Sequence, residues 1–186
     1  TPYEKACEAI VYIKKLSFIE AETTLLAHSK HLVKSAPTET TTLLMDICSP
    51  TGVFNGVKNG VNSNEPIFGN PEEFLPAFID YTDRQYKYSN ELKRFLWHVV
   101  TNDTNATVKI WNTLLELCLH SAIKETTMTM TEKKNSKNDS DTSSSTSEVM
   151  KILQNPNAKY DVDHALVLVQ RHHFSLGQLY LYEKKK

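Results

Sequence analysis

Apolar residues recur along the chain at helical spacing, in stretches separated by polar breaks that carry helix start signals. Thr1, Pro2 and Glu4 combine an N-cap, a proline at the first helical position and the Glu of a capping box; Ala6, Ala9, Ile10 and Ile13 follow as one face. Ser17 and Glu20 form a second capping box ahead of Phe18, Ala21, Leu25, Leu32 and Val33. Pro37 opens a third helix carrying Leu43, Leu44 and Ile47. Between residues 49 and 69 the pattern lapses into a loop with Gly52, Gly56, Gly60 and Gly69. Asn70, Pro71 and Glu73 then start a helix that carries Phe74, Leu75, Ala77 and Phe78.

A polar, tyrosine-bearing connection from 80 to 89 leads to the cleanest amphipathic signal, Leu92, Phe95, Leu96 and Val99. Residues 102–105 break that helix, and Val108, Trp111, Leu114, Leu115 and Cys118 form the next stripe. Residues 124–147 are dominated by Ser, Thr, Lys, Asn and Asp and predict a disordered insert, with Ser144 and Ser145 as candidate kinase targets against a plain solvated linker. A short helix over 149–153 stops at Asn155 and Pro156. Asp161 caps a helix through Ala165, Leu166, Leu168 and Val169, whose five consecutive apolar residues (165–169) predict burial on more than one side. Ser175 reads as the N-cap of the final helix, with Gln178 at N3 and a staple between Phe174 and Leu179. Gly177 sits in that helix's first turn, where close packing on the preceding helix is expected; a solvent-facing glycine is the alternative and predicts the opposite response to substitution.

Helices of about 8 to 18 residues must bury their apolar faces on one another. The expected fold is all-α, an α-solenoid of stacked antiparallel helical hairpins: repeats over 1–123 with a loop insert at 49–69, the disordered insert at 124–147, and further repeats over 148–186. The repeat-packing residues are Ala165, Leu166, Val169, Phe174, Gly177 and Leu179. Opening on Thr1 and closing within a helix, the chain reads as an excerpt of a longer protein, cut inside the final helix.

Composition narrows function mainly by exclusion. With 186 residues, a net charge of −1 and only five glycines, the chain has neither the charge excess of a nucleic-acid binder nor the turns of a many-stranded β protein. Cys7, Cys48 and Cys118 are odd in number and widely spaced, which suits buried reduced thiols in a reducing compartment; the sequons at Asn102 and Asn105 are then coincidental. His28 and His31 lie three apart on one helix without further ligands at metal-site spacing, and Glu72 and Glu73 suit a helix start. His172 and His173 are neighbours, one expected to pack inward near Phe174 and one to face water. Glycine-rich phosphate loops and nucleophile elbows are absent. No catalytic, cofactor-binding or metal residue is expected, and the chain does not read as an enzyme. An all-helical metal hydrolase built on His28 and His31 is the enzymatic alternative. A tetratricopeptide-like peptide-binding module is the other competitor, without its regular 34-residue period. Lys184, Lys185 and Lys186 are too few for a nucleic-acid or lipid patch.

The stretch from Ala165 to Glu183 resembles a hairpin of the clathrin heavy-chain repeat, and more specifically the vacuolar protein sorting-associated protein 11 family. Four further stretches are similar in the same order: Ala9 to Phe18 with Ala21 and Glu22, Pro71 to Phe78, Glu91 to His98, and Asn112 to Leu117. The resemblance implies an α-solenoid piece of a core subunit shared by the HOPS and CORVET tethering complexes. Implied partners are the other class C subunits and, indirectly, Rab GTPases and SNAREs. The implied location is peripheral, on the cytosolic face of endosome and vacuole or lysosome membranes. In that family a β-propeller precedes this region and a zinc-binding RING follows it, so no cofactor is implied for the segment itself. The stretches 49–69 and 124–147 depart from the family segments.

Overall fold

A computed structural model describes residues 1–49, 68–79, 88–102, 106–132 and 142–186, with side chains described outside 123–145. Among the described residues every regular element is helical, and the chain divides into two units, Thr1–Asn105 and Ala106–Lys186. The expected all-α fold built from helical hairpins holds.

In the first unit, α1 (Pro2–Ile13) and α2 (Phe18–Ser35) start where the sequence predicts. Thr1 and Ser17 each close a full capping box, with Glu4 and Glu20 respectively. Helix α2 ends because Pro37 biases the residue before it out of helical conformation; Ala36 has φ −143° and serves as both the C-cap of α2 and the N-cap of α3 (Pro37–Cys48). Thr40 and Thr41 are fully buried in α3, and each hydroxyl donates to the carbonyl four residues back, at 2.6 and 2.7 Å. The helix expected after Asn70 is short: α4 (Pro71–Phe74) passes into a 3₁₀ turn, Leu75–Phe78, at Pro76. Asn70 caps it by accepting from Glu72 N–H, while the Glu73 carboxylate accepts from the Asn70 side-chain amide in place of the Asn70 backbone N–H, so no reciprocal box forms.

Helix α5 (Ser89–Asn102) completes this unit. Its Leu92, Phe95, Leu96 and Val99 are all buried, as the stripe predicts. Phe95 stacks on Phe78 with ring centroids 5.5 Å apart, anchoring α5 on the 3₁₀ turn. The core gathers Phe74, Phe78 and Phe95 with Leu25, Leu43, Leu44 and Ile47. The greater part of the expected loop at 49–69, the connection 80–87 and the break at 103–105 lie outside the described residues.

The second unit holds α6 (Val108–Glu132), α7 (Thr142–Leu153), α8 (Val162–Arg171) and α9 (Ser175–Lys184). The disordered insert expected over 124–147 is corrected at both ends: the backbone is helical to Glu132 and again from Thr142, while 133–141 lie outside the described residues. No Pro or Gly interrupts 108–132. Once a helix is nucleated on a packed face, each added residue gains one hydrogen bond, so polar composition alone does not stop it.

Candidate functional site

The functional geometry of stacked helices lies in how their faces meet. Polar cross-links set the order in the first unit. Tyr3 donates to Glu39 at 2.7 Å and Lys14 lies 3.9 Å from Asp46, so α1 and α3 run parallel. Thr38 reaches Glu91 at 3.4 Å, and Arg94 donates to Thr42 at 2.6 Å and to Glu91 at 3.0 Å, so α3 and α5 are parallel too. Helix α2 packs against both α1 and α3. In the second unit, Asp161 N–H, at the start of α8, donates to Asn112 of α6 at 3.1 Å, and His172 at the end of α8 feels Glu116 and His120 of α6, so these helices are also parallel. Each unit therefore holds helices of one direction, with α2 packed against α1 and α3 in the first unit and α7 against α6 in the second. The hydrogen-bonded partners lie 36, 53 and 49 residues apart. That irregular spacing is why no fixed period shows in the sequence.

The last hairpin carries the residues singled out for repeat packing. Ala165 and Val169 are fully buried, Gly177 is buried, and Leu166 and Phe174 are half-buried. Leu179 is 61% exposed, so the expected staple with Phe174 is not formed. Ser175 is not the N-cap either: α9 begins at Ser175, Phe174 takes the cap position without a side-chain bond, and Gln178 donates instead to the Val169 carbonyl at 3.3 Å. Burial of α8 on more than one side also needs correction, since Val167 within its apolar run is 61% exposed.

The corner between α8 and α9 explains these differences. His173 has φ +53°, the left-handed conformation that ends a helix. Its N–H donates to Gln170 O at 3.0 Å, and Phe174 N–H donates to Val169 O at 2.9 Å, the paired bonds of a Schellman motif. This turn folds the Phe174 ring back over Gly177: a Cβ at 177 would lie 2.5 Å from Phe174 Cδ1 and 3.1 Å from Val169 Cγ1. The nearest neighbour of Gly177 is thus Phe174 at the corner, ahead of Val169 of the preceding helix. His173 is a non-glycine residue in a conformation that costs about 1–2 kcal/mol. His173→Gly is therefore expected to stabilise the chain by about 0.5–1 kcal/mol in urea melts, after the glycine's added unfolded-state freedom is subtracted.

Tyr160 is a second anchor. Buried between α7 and α8, it donates to Leu153 O at 2.7 Å and accepts from Lys184 at 2.8 Å, while the Lys184 ammonium also lies 4.5 Å from the ring centroid. Tyr160→Phe removes both hydrogen bonds but keeps the ring, and is expected to cost about 1–2 kcal/mol by thermal melting. Lys185 pairs with Asp163 at 2.6 Å across exposed surface, so not all of the lysine tip is unengaged.

The candidate chemical residues are dispersed. His28 and His31 are both exposed on α2. No group of three or more His, Cys, Asp or Glu side chains is placed to hold a metal among the described residues. Cys48 and Cys118 are buried and Cys7 is half-buried, all as free thiols. Burial, and then the nearby Glu22, push the Cys48 thiol far above its ordinary range, so it is a poor nucleophile. Glu22 is itself raised by burial and by Glu73. No described helix is long and apolar enough to cross a membrane.

His172 is half-buried and His173 exposed, the division the sequence suggests. Burial, then Arg171 and His120, hold His172 below the usual imidazole range; Glu116 opposes them. A base depressed in the folded state gives stability that is complete above its unfolded pKa of about 6.5 and is lost as pH falls through the folded value. The Tm of the parent is thus expected to fall more steeply than that of His172→Gln between about pH 6.5 and 5. Equal slopes would remove His172 as the cause.

Parallel helices cross-linked directly by polar side chains, with no metal-holding group of His, Cys, Asp or Glu among the described residues, define a helical-repeat packing protein. The family described as PEP5/VPS11 clathrin repeat matches residues 2–186, and the chain belongs to that family, an α-solenoid repeat. Over 181 residues it is 32% identical to the human vacuolar protein sorting-associated protein 11 homologue, covering 96% of this chain and 17% of that protein. The homologue of Dictyostelium discoideum is 29% identical over 223 residues, covering 95% of this chain and 21% of its own length. The Arabidopsis thaliana homologue is 27% identical over 216 residues, covering 96% and 22%. The chain therefore spans about a fifth of the length of these curated relatives. No solved structure is a significant match.

Proposed function

We propose that this chain is a scaffold segment in vacuolar protein sorting, and more finely part of a core subunit of the HOPS and CORVET tethering complexes. The observation that carries the reading is the family match along residues 2–186. The parallel helices of each unit support it physically: cross-links such as Tyr3–Glu39 and Asn112–Asp161 fix helix spacing, which is what a scaffold must hold under load. The segment needs no cofactor and performs no catalysis for this role. Its partners are other class C subunits and, through them, Rab GTPases and SNAREs. Its location is peripheral, on the cytosolic face of endosome and vacuole or lysosome membranes.

The test uses the longer polypeptide that contains this segment. Phe95→Asp, which buries a charge in the first unit, is expected to reduce both co-purification of class C subunits and delivery of a vacuolar hydrolase, without loss of expression. Normal co-purification and delivery by a variant whose segment is shown to be unfolded would overturn the reading.

A further inference from the structure

The two most exposed large apolar side chains among the described residues, Ile19 at 71% and Tyr12 at 65%, flank one corner. It is the four-residue turn, 14–17, that joins α1 to α2. Helices packed on each other across so short a turn are antiparallel, so the corner is the tip of a hairpin. Val11, beside Tyr12, is also exposed. From Tyr12 to Ile19 the only charged residues are Lys14 and Lys15. Lys14 lies 3.9 Å from Asp46, whereas Lys15 is exposed and pairs with no acidic group among the described residues. Glu20, the first acid after the turn, is folded back on it, accepting from Ser17 N–H at 3.1 Å and from the Ser17 hydroxyl at 2.7 Å. The other N–H groups of the turn are bonded too: Lys14 to Ile10 O, Lys15 to Tyr12 O and Leu16 to Ile13 O, at 3.0, 3.0 and 3.1 Å. A corner with satisfied N–H groups can leave bulk water without orphaning backbone donors.

We propose that this corner inserts into the headgroup boundary of an anionic lipid leaflet, with Tyr12 and Ile19 entering its apolar edge and Lys14 and Lys15 meeting the negative headgroups. Charge complementarity selects that occupant. An apolar tip carrying only positive charge matches a surface whose acyl chains lie directly beneath negative groups. A partner helix would need a groove, and a hairpin tip offers none. Two lysines alone would not hold a membrane; the apolar side chains supply the rest. The exposed apolar row of α9 is not equivalent, since Lys184 there is held by Tyr160 and Lys185 by Asp163. The inference adds a direct lipid contact to the peripheral location proposed above and does not rest on the tethering assignment. Vesicle binding can fail while co-purification of subunits holds, and the reverse.

The test is co-sedimentation of the 186-residue chain at low salt with vesicles of phosphatidylcholine and phosphatidylserine, against vesicles of phosphatidylcholine alone. The parent is expected to partition onto the anionic vesicles and not onto the neutral ones. Lys15→Ala is expected to lower that partition about fivefold. Tyr12→Ser combined with Ile19→Ser is expected to lower it at least about tenfold. These side chains are exposed, so thermal melts of the variants should match the parent's; should the double variant melt early, Lys15→Ala carries the test. Leu179→Ser, at a side chain 61% exposed on α9, is the control and should partition like the parent. A parent that does not bind, equal partition of parent and corner variants, or equal binding to neutral vesicles would overturn the proposal. So would a loss for Leu179→Ser as large as that of the double variant, which indicates general apolar adhesion.

Discussion

Phe95→Ala is expected to destabilise the first unit by about 3–5 kcal/mol, the largest effect of any single truncation considered. Phe95 is fully buried, stacks on Phe78 of the 3₁₀ turn at 5.5 Å, and belongs to a helix packed against both that turn and α3. The cost has two parts, the lost transfer of the ring from water and the cavity left between elements that cannot all close in. The Phe78–Phe95 pair adds about 0.5–1.5 kcal/mol beyond area, so Phe95→Leu should still be measurably destabilising although it fills most of the space. Urea denaturation followed by far-UV circular dichroism reads both variants. A loss under about 1 kcal/mol for Phe95→Ala would show that this ring does not anchor α5.

Gly177→Leu is expected to cost about 2–3 kcal/mol, towards the upper end of overpacking effects. The Cβ alone would sit 2.5 and 2.9 Å from two atoms of the Phe174 ring, and these are not the free end of a flexible chain. The ring must swing out, and Val169 Cγ1 at 3.1 Å blocks a second direction. Gly177→Ala separates this from backbone effects. An exposed helical glycine gains about 0.4–1 kcal/mol on replacement by Ala; here a net loss is expected. Repeating Gly177→Ala in a Phe174→Ala background should recover much of that loss, because the clashing ring is gone. Additive effects in this double-mutant cycle would mean the ring and the glycine do not meet.

Helix starts were the most legible feature of the chain. The boxes at Thr1 and Ser17 and the Asp161 cap, which accepts from His164 N–H at 2.9 Å, use atoms within three residues of one another, so local sequence suffices. The stripe from Leu92 to Val99 was equally plain, since one buried face imposes its own period. Two causes lie behind the differences between sequence and structure. Ser175 has every local mark of a cap, yet Phe174 occupies that place because the left-handed turn at His173 brings the chain back one residue earlier. Leu179 looked like a staple for the same reason. Histidine at the C′ position gives no signal like the usual glycine, so the Schellman motif was hidden. The ends of the 124–147 stretch were misjudged because composition weighs burial and not the low cost of extending a helix already begun.

By itself, then, the sequence determined that the chain is helical, where most helices begin, which face of each is apolar, and which family it resembles. These depend on spacing of three or four residues, or on stretches that can be compared directly. Tertiary structure decided which helices are neighbours: α1 beside α3 through Tyr3 and Glu39, α3 beside α5 through Thr42 and Arg94, α6 beside α8 through Asn112 and Asp161. It also decided that Gly177 lies beneath Phe174 and that Leu179 faces outward. Apolar burial has no direction, so an apolar stripe states that a helix must pack but not on what. Only side chains brought together from 36 to 53 residues apart select the partner and the register.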